Sequence, residues 1–140
     1  MRFEVGSADS ARDALTYFNY FHDSFLERIE VQISTEGHEQ FGFAIPVRYD
    51  ASIFLVHTNY NTFKSQGQCR PRVALSLSHI SHMMIGDVVP LDNMLSECCI
   101  SIREPGEVHL DVGGDGLVTF DCRLLVIDDS VTPPGEFGLS

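Results

Sequence analysis

The alternation of hydrophobic and polar residues predicts that most of this chain is β-strand. Residues 29–34 alternate with a period of two, which is the pattern of a strand with one buried face. The chain then turns at residues 35–38 and returns through a second alternating segment at 41–47, so we expect a hairpin. Pro46 lies in the returning strand, and because proline cannot donate a backbone hydrogen bond, we expect the outer edge of that strand to be unpaired.

Further strands are predicted along the rest of the chain. Residues 53–57 are apolar on both faces, which is typical of a central strand covered on each side. Residues 72–78 alternate again. The last third has the clearest pattern, with alternating segments at 98–102, 108–112 and 118–126 joined by glycine-containing turns. These three segments predict an antiparallel meander.

One helix is predicted near the N-terminus, ahead of the strands. Apolar residues recur at helical spacing between Ala11 and Phe21, and Ser10 is available as the N-cap. The aromatic side chains of this segment are typical of a helix face that packs on a sheet. We therefore predict a mainly β (α+β) fold, in which an antiparallel sheet of about seven strands curls into a sandwich or half-barrel with one N-terminal helix.

The length of 140 residues is that of one domain, so we expect residues 1–140 to fold as a single unit with a frayed tail at 128–140. The alternation breaks down between residues 79 and 97, which predicts an irregular connection with a short helical turn at 91–96. Long irregular connections are often functional, and this segment is therefore a candidate recognition loop.

Composition and charge restrict the class of protein. Hydrophobic residues are 44% of the chain and charged residues 21%, which favours a folded globular protein over a disordered one. Acidic residues number 20 against 9 Lys plus Arg, giving a formal net charge of −11, and Lys64 is the only lysine. Because nucleic-acid binding depends on basic groups that neutralise phosphates, this charge argues against DNA or RNA and permits a basic protein partner.

The chain has no recognisable export or membrane-insertion signal. Its first residues contain no apolar run of signal-peptide length, and no segment is apolar over the length of a membrane span. The four cysteines show neither a C-x-x-C pair nor a disulfide-framework spacing, and adjacent Cys98 and Cys99 should point to opposite faces of a strand. We expect a cytoplasmic protein with reduced thiols and no membrane partner, and leave its oligomeric state open.

Four histidines are candidate ligand contacts. His79 and His82 would share a face of a helix but not of a strand, and no carboxylate or cysteine lies beside them at a ligand spacing. Together with His22 and His57, they could supply polar contacts in a cavity lined by aromatic residues. This defines an alternative function, a small-molecule- or metal-binding β-domain, but no metal ligand set or cofactor is assigned.

Catalysis is not predicted. His22, Asp23 and Ser24 are adjacent where the predicted helix ends, but consecutive residues in a turn generally point apart, whereas a nucleophile, a base and an orienting acid must converge. The chain also lacks the Gly-x-Ser-x-Gly elbow of a serine hydrolase. We expect these residues to satisfy backbone groups at the helix end, and we predict that the protein is not an enzyme.

Residues 111–116 match the first half of a calcium-binding loop, with Asp111 and Asp115 at its first and fifth places. The twelfth place is Cys122 rather than the bidentate glutamate of such a loop. A glycine-rich hairpin turn accounts for these residues.

The order of these features resembles a group of small bacterial proteins in which a short helix ends in a His-Asp-Ser signature and an antiparallel sheet follows. The matching residues are Phe21-His22-Asp23-Ser24, then Ile29-Glu30-Val31, and the late strand Val118-Thr119-Phe120-Asp121-Cys122. Several such groups are similar to immunity proteins of polymorphic toxin systems, which are cytoplasmic partners that block a cognate toxin. The resemblance implies a protein-binding role, and it implies that His22 and Asp23 mark a recurring structural feature.

The function predicted from the sequence is that of a non-catalytic, immunity-like binding module that presents an acidic face to a basic protein partner. Electrostatic attraction would speed the encounter, and burial of a mixed apolar patch would hold the complex. The candidate contact residues lie near the end of the helix and in the irregular segment: Asp23, Glu27, Glu30, Asp87, Asp92 and Glu97.

Overall fold

The computed structural model describes residues 1–22, 24–38, 40, 42–56, 72–86, 95, 97–103 and 106–129. Within these ranges the chain forms one α-helix, one 3₁₀ turn and nine β-strands, in the order β1 (Arg2–Val5), α1 (Ala8–Tyr17), the 3₁₀ turn (Asn19–Phe21), β2 (Phe25–His38), β3 (Phe43–Val56), β4 (Arg72–Ser78), β5 (His82–Ile85), β6 (Cys99–Ile102), β7 (Val108–Asp111), β8 (Val118–Cys122) and β9 (Leu124–Asp128). The predicted mainly β class is confirmed, with a single helix near the N-terminus.

The strands form two antiparallel sheets that meet at one corner. The five-stranded sheet has the order β1-β9-β4-β3-β2, and the four-stranded sheet has the order β5-β8-β7-β6. The chain passes between the sheets twice at the same place, from β4 to β5 and from β8 to β9. Backbone bonds from Ser81 to Asp121 (2.9 Å) and from Arg123 to Ser78 (3.1 Å) join the two crossings. The sheets therefore curl around a common interior without closing into a barrel.

The predicted hairpin is longer than its sequence pattern indicated. Strands β2 and β3 pair along their whole lengths of 14 residues each, so the returning segment at 41–47 and the central strand at 53–57 belong to one strand. A register shift between Ser34 and Thr35 leaves Val47 without a partner in β2, as in a β-bulge. The apolar residues of β3 keep one phase in the sequence, so the bulge at Val47 places Ile45 on the opposite face of the hairpin from Ala51 and Ile53.

The late strand predicted at 118–126 is two strands. It breaks at Arg123, where the chain leaves the four-stranded sheet as β8 and enters the five-stranded sheet as β9. The meander of β6, β7 and β8 and the strand at 72–78 are confirmed. Two short strands were missed: β1, and β5, which lies inside the segment predicted to be irregular. Each has only four residues, too few for a period to be clear.

The helix begins and ends earlier than predicted. It starts after Ser7, whose hydroxyl accepts the Ser10 amide (3.1 Å), while the Ser10 hydroxyl accepts the Ser7 amide (2.9 Å). This reciprocal pair is a capping box, so Ser7 is the N-cap and the predicted N-cap Ser10 is its partner. The helix ends at Tyr17, and the 3₁₀ turn follows in place of the last predicted turn.

The 3₁₀ turn has an unusual backbone. Asn19, Tyr20 and Phe21 all have positive φ, at 51°, 56° and 54°, a left-handed conformation that costs energy for residues other than glycine. The rings of Phe18 and Phe21 stack at 4.9 Å, and both are fully buried. We infer that burial of these two rings stabilises the strained turn. His22, the first residue of the His-Asp-Ser signature, follows directly and is exposed.

Both sheets and the helix contribute to one hydrophobic core. Its largest fully buried side chains come from α1 and the turn after it and from strands of both sheets: Phe18, Phe21, Ile53, Leu55, Leu75, Leu77, Leu110, Phe120, Leu125 and Ile127. Burial of one such side chain is worth about 1.5–3 kcal/mol. The interior between the two sheets therefore supplies the main stabilisation of the fold.

The C-terminal end of the described chain is tied into the sheet. Asp128, which was predicted to begin a frayed tail, lies in β9 opposite Arg2 and Ala74. The carboxylate of Asp129 accepts a hydrogen bond from the N-terminal amino group at 2.7 Å. The remainder of the predicted tail lies outside the described residues. Among the described helices, none has the length and apolar character needed to cross a membrane.

Candidate functional site

The predicted acidic contact residues do not form one patch among the described residues. Glu27 pairs with Arg72 at 2.9 Å, and Glu30 pairs with Arg28 at 3.2 Å, so arginines compensate both carboxylates. Glu97 is exposed, but it precedes β6 in the other sheet. The other three predicted contacts, Asp23, Asp87 and Asp92, lie outside the described residues.

The predicted histidines do not share one helical face. His79 occupies a turn with a φ of 57°, and its backbone N–H donates to the Asp50 carboxylate at 3.0 Å. His82 begins strand β5, and His22 is exposed just after the 3₁₀ turn. His57 lies outside the described residues. The three described histidines thus lie in a turn, at the start of a strand and after the 3₁₀ turn.

His82 instead joins a polar cluster on the four-stranded sheet that sequence analysis missed. Asp121 in β8 lies opposite His82 of β5 on one side and His109 of β7 on the other. Its carboxylate lies 2.6 Å from Nδ1 of His109, 3.8 Å from Nδ1 of His82 and 3.9 Å from Arg103. Asp121 is only 9% exposed, so these contacts compensate a nearly buried charge.

The sequence indicates that the residues of this cluster share a polar face, but it does not show that they are opposite each other. In the meander, His109 follows the apolar Val108, and Asp121 follows the apolar Phe120, so both side chains belong to the polar face. Only the cross-strand register, however, places them directly opposite each other. Turn lengths read from sequence do not determine that register when the turn has several glycines.

The chemistry of the cluster is that of charge compensation. Within the described part of the chain, no group of three His, Cys, Asp or Glu side chains is arranged to hold a metal ion. No described serine or cysteine donates to His109, so no nucleophile is paired with the His109–Asp121 couple. Because Asp121 lies between His82 and His109 on adjacent strands, the cluster joins β5, β8 and β7 across the sheet.

The glycine-rich turn between β7 and β8 uses its carboxylates internally. Asp111 accepts the amides of Gly114 (2.9 Å) and Gly116 (3.1 Å), and Asp115 accepts the amide of Leu117 (3.1 Å). Gly114 has a φ of 76°, and a Cβ there would meet the carbonyl oxygen of Glu97 at 3.1 Å. The turn thus accounts for both carboxylates, as the sequence predicted.

The three described cysteines are free thiols. Cys98 and Cys99 face opposite ways, one buried and the other exposed, as predicted for neighbours on a strand. Burial raises the pKa of the Cys98 thiol well above its usual range and that of Cys122 to about 12. The pKa of Cys99 is also raised, first by partial burial and then by Glu97. These directions favour the unreactive protonated thiols.

The most distinctive surface is the far half of the β2–β3 hairpin. Strand β4 pairs with β3 only from Ala51 to Val56, so residues 32–38 and 43–50 continue as a two-stranded ribbon, which we call the arm. Its large apolar side chains are 40% or more exposed: Ile33, Phe43, Ile45 and Val47. Where Pro46 lies, no described strand pairs with the other side of β3, as predicted.

The apolar face of β2 continues from the core onto the arm. Ile29 packs against the core, Val31 is 38% exposed at the base of the arm, and Ile33 is 54% exposed farther out. These residues alternate along one strand and so lie on one face. We call these three residues, Ile29, Val31 and Ile33, the β2 stripe. The stripe extends past the point at which the core covers it, which is a feature of interaction surfaces.

Ion pairs balance most charges along this hairpin. Arg48 donates two hydrogen bonds to Asp50 (2.8 and 3.0 Å), and Arg28 stacks over the Phe54 ring at 4.2 Å while pairing with Glu30. The hydrogen bond from Arg48 lowers the pKa of Asp50, and it raises that of Arg48. Glu36 carries the uncompensated charge among the described arm residues. The arm is thus close to neutral, with its exposed apolar side chains mainly on β3.

Comparison with known proteins identifies no relative: no family model matches this chain, and neither a curated protein nor a solved structure is significantly similar to it.

Proposed function

We propose that this protein is a non-catalytic binding module that uses the arm to recognise a basic protein, in the manner of an immunity protein that blocks its target by occlusion. The observation that supports the proposal is the set of exposed apolar residues on the β3 strand of the arm: Phe43, Ile45 and Val47. Exposed apolar side chains on a projecting ribbon add little to folding, whereas in a complex they would be buried.

The charge of the chain supports a basic partner. Its net charge of −11 creates a long-range attraction for a basic protein, and this attraction raises the association rate. The arm itself is nearly neutral, so an approaching partner would meet little desolvation cost from unpaired charge there. In the proposed mechanism, the body supplies the attraction and the arm supplies the contact.

The test is affinity capture from a lysate of the native organism, followed by kinetics with the purified partner. We would compare the wild type with a triple variant, Phe43→Ser, Ile45→Ser and Val47→Ser. We expect a stoichiometric basic protein with the wild type, and at least about tenfold weaker binding with the variant, since each lost apolar contact is worth about 1 kcal/mol or more. The wild-type association rate should fall as salt is raised.

Strand β5 offers a matched control. Its Met83, Met84 and Ile85 are also large, apolar and exposed, so replacing all three with serine removes similar exposed surface away from the arm. This control variant should bind as the wild type does. Equal binding by the arm variant, or an association rate that does not respond to salt, would contradict the proposal.

Neutralising Glu27 and Glu30 would be a poor test of the acidic face. Each removal would leave an arginine, Arg72 or Arg28, without its ion-pair partner and would change the hairpin itself. Glu97→Gln is cleaner, because Glu97 is exposed and has no ion pair among the described residues. It should lower the association rate slightly and leave the dissociation rate unchanged.

A further inference from the structure

Among the described strands, β2 presents a long unpaired outer edge. Strand β2 is the last strand of the five-stranded sheet, and no described residue pairs with its outer side between Arg28 and Glu36. Natural proteins protect such edges with proline, with charged side chains, especially lysine, or with bulges. Strand β2 contains neither proline nor lysine, and its edge charges, Arg28, Glu30 and Glu36, are of both signs, whereas β3 carries Pro46 where its own outer edge is unpaired.

The sequence of this edge is complementary to itself. When residues 28–36 are paired antiparallel with the same segment of another copy, with Gln32 opposite Gln32, Arg28 faces Glu36 and Val31 faces Ile33. Opposite charges and apolar pairs at directly opposed positions stabilise antiparallel strands. The two-fold symmetry repeats each of these pairs, so the segment forms two Arg28–Glu36 pairs and two Val31–Ile33 pairs.

Neighbouring registers that keep the same faces together are less favourable. Centring the pairing on Ile33 places Glu30 opposite Glu36, and centring it on Glu30 places that carboxylate opposite its own copy. Like charges at directly opposed positions are destabilising. Centring on Val31 avoids repulsion but leaves Arg28 opposite Ser34, without a charge pair. Of these four registers, the one centred on Gln32 alone pairs opposite charges.

We propose that a second copy of this chain docks on the outer edge of β2 in the register centred on Gln32, forming a two-fold symmetric dimer. The two five-stranded sheets become one sheet of ten strands, and the stripe of Ile29, Val31 and Ile33 continues from one copy into the other. The net negative charge of each copy opposes association, but the intrachain ion pair of Glu27 with Arg72 limits this repulsion at the edge itself. The β3 side of the arm stays open, so the dimer does not depend on the proposed function.

The first experiment measures the oligomeric state of the full chain by sedimentation equilibrium at physiological salt. The wild type should be a dimer. Glu36→Arg places two arginine pairs face to face and should raise the dissociation constant by about tenfold or more, since each opposed pair contributes up to about 1 kcal/mol. The double variant Arg28→Glu with Glu36→Arg restores opposite charges across the interface and should dimerise more tightly than Glu36→Arg alone, although it also removes the Arg28–Glu30 ion pair within each copy.

Asp13→Arg is the matched control, because it makes the same charge change at an exposed position on α1. It should remain a dimer, with a dissociation constant no higher than that of the wild type. A monomeric wild type would overturn the proposal, as would a Glu36→Arg variant that dimerises as well as the control. A monomer would leave the proposed binding function intact.

A second experiment tests the register through disulfide formation under oxidation by diamide. In a Cys69→Ser, Cys99→Ser background, Gln32→Cys places two thiols opposite each other and should give a covalent dimer. Ser34→Cys should not link to itself, because positions 34 of the two copies are about 13 Å apart along the strands in this register. Mixed with Glu30→Cys, however, it should form a covalent heterodimer. Linking of Ser34→Cys to itself without linking of Gln32→Cys would overturn the register.

Discussion

The two halves of strand β3 have similar residues and opposite environments. In the half that pairs with both β2 and β4, Ala51, Ile53 and Leu55 are at most 3% exposed. In the half that forms the arm, Phe43 and Val47 are more than half exposed. The apolar content is comparable, so the difference comes from the neighbours: the inner half has a third strand beside it and a second sheet across from it. Alternation thus predicts a strand, and the surroundings decide whether its apolar face is buried.

The largest expected effect is a difference in the free energy of unfolding between mutations in the two halves of β3. Leu55→Ala leaves a cavity in the core and should lower the free energy of unfolding by about 2–5 kcal/mol. Ile45→Ala in the arm should lower it by only about 1 kcal/mol or less, because its side chain is already 40% exposed. Urea unfolding of both variants measures the difference. Similar losses for the two would show that the arm packs against something in the folded chain.

A smaller effect is expected for two carboxylates, one nearly buried and the other exposed. Asp121→Asn weakens a short, nearly buried contact with His109 and should lower the free energy of unfolding by about 1–3 kcal/mol. Glu36→Gln, at an exposed arm position, should change it by less than about 0.5 kcal/mol. Chemical denaturation at neutral pH gives both values. If Asp121→Asn were as stable as Glu36→Gln, the cluster would have no stabilising role.

The smallest expected effect is a pH dependence at the base of the arm. The hydrogen bond from Arg48 lowers the folded-state pKa of Asp50, so ionised Asp50 contributes stability above its unfolded pKa of about 3.9. This contribution is lost as the pH falls through the lower folded pKa. Wild-type protein should therefore lose slightly more stability than Asp50→Asn between pH 5 and the onset of acid unfolding. Parallel stability curves for the two proteins would contradict this assignment.

Much of the strand pattern could be predicted because it is local. Strand β4 was predicted with its observed bounds, and the meander of β6 to β8 was predicted from its alternation and its turns. The helix was placed a few residues late because Ser7 and Ser10 are both suitable caps, and only the reciprocal hydrogen bonds distinguish them. The break at Arg123 was missed because alternation runs through it while the chain changes sheets.

The candidate sites were harder to predict because they depend on pairs that are distant in sequence. Glu27 and Glu30 were predicted as exposed contacts, but the fold places Arg72 beside one and Arg28 beside the other. His82 was grouped with His79, whereas its nearest charged neighbour is Asp121 on a different strand. Charge and residue type indicate which side chains can act, and register determines which of them meet.

The period-two alternation, the glycine turns and the excess of acidic residues are properties of the chain read alone. They were sufficient for the mainly β class and the antiparallel meander, because both depend on local geometry. Tertiary structure decided the rest: that β3 is one strand, that half of its hairpin projects as an arm, and that Asp121 lies between two histidines. These features follow from strand order and register, which bring together residues far apart in the sequence, and no local pattern contains that information.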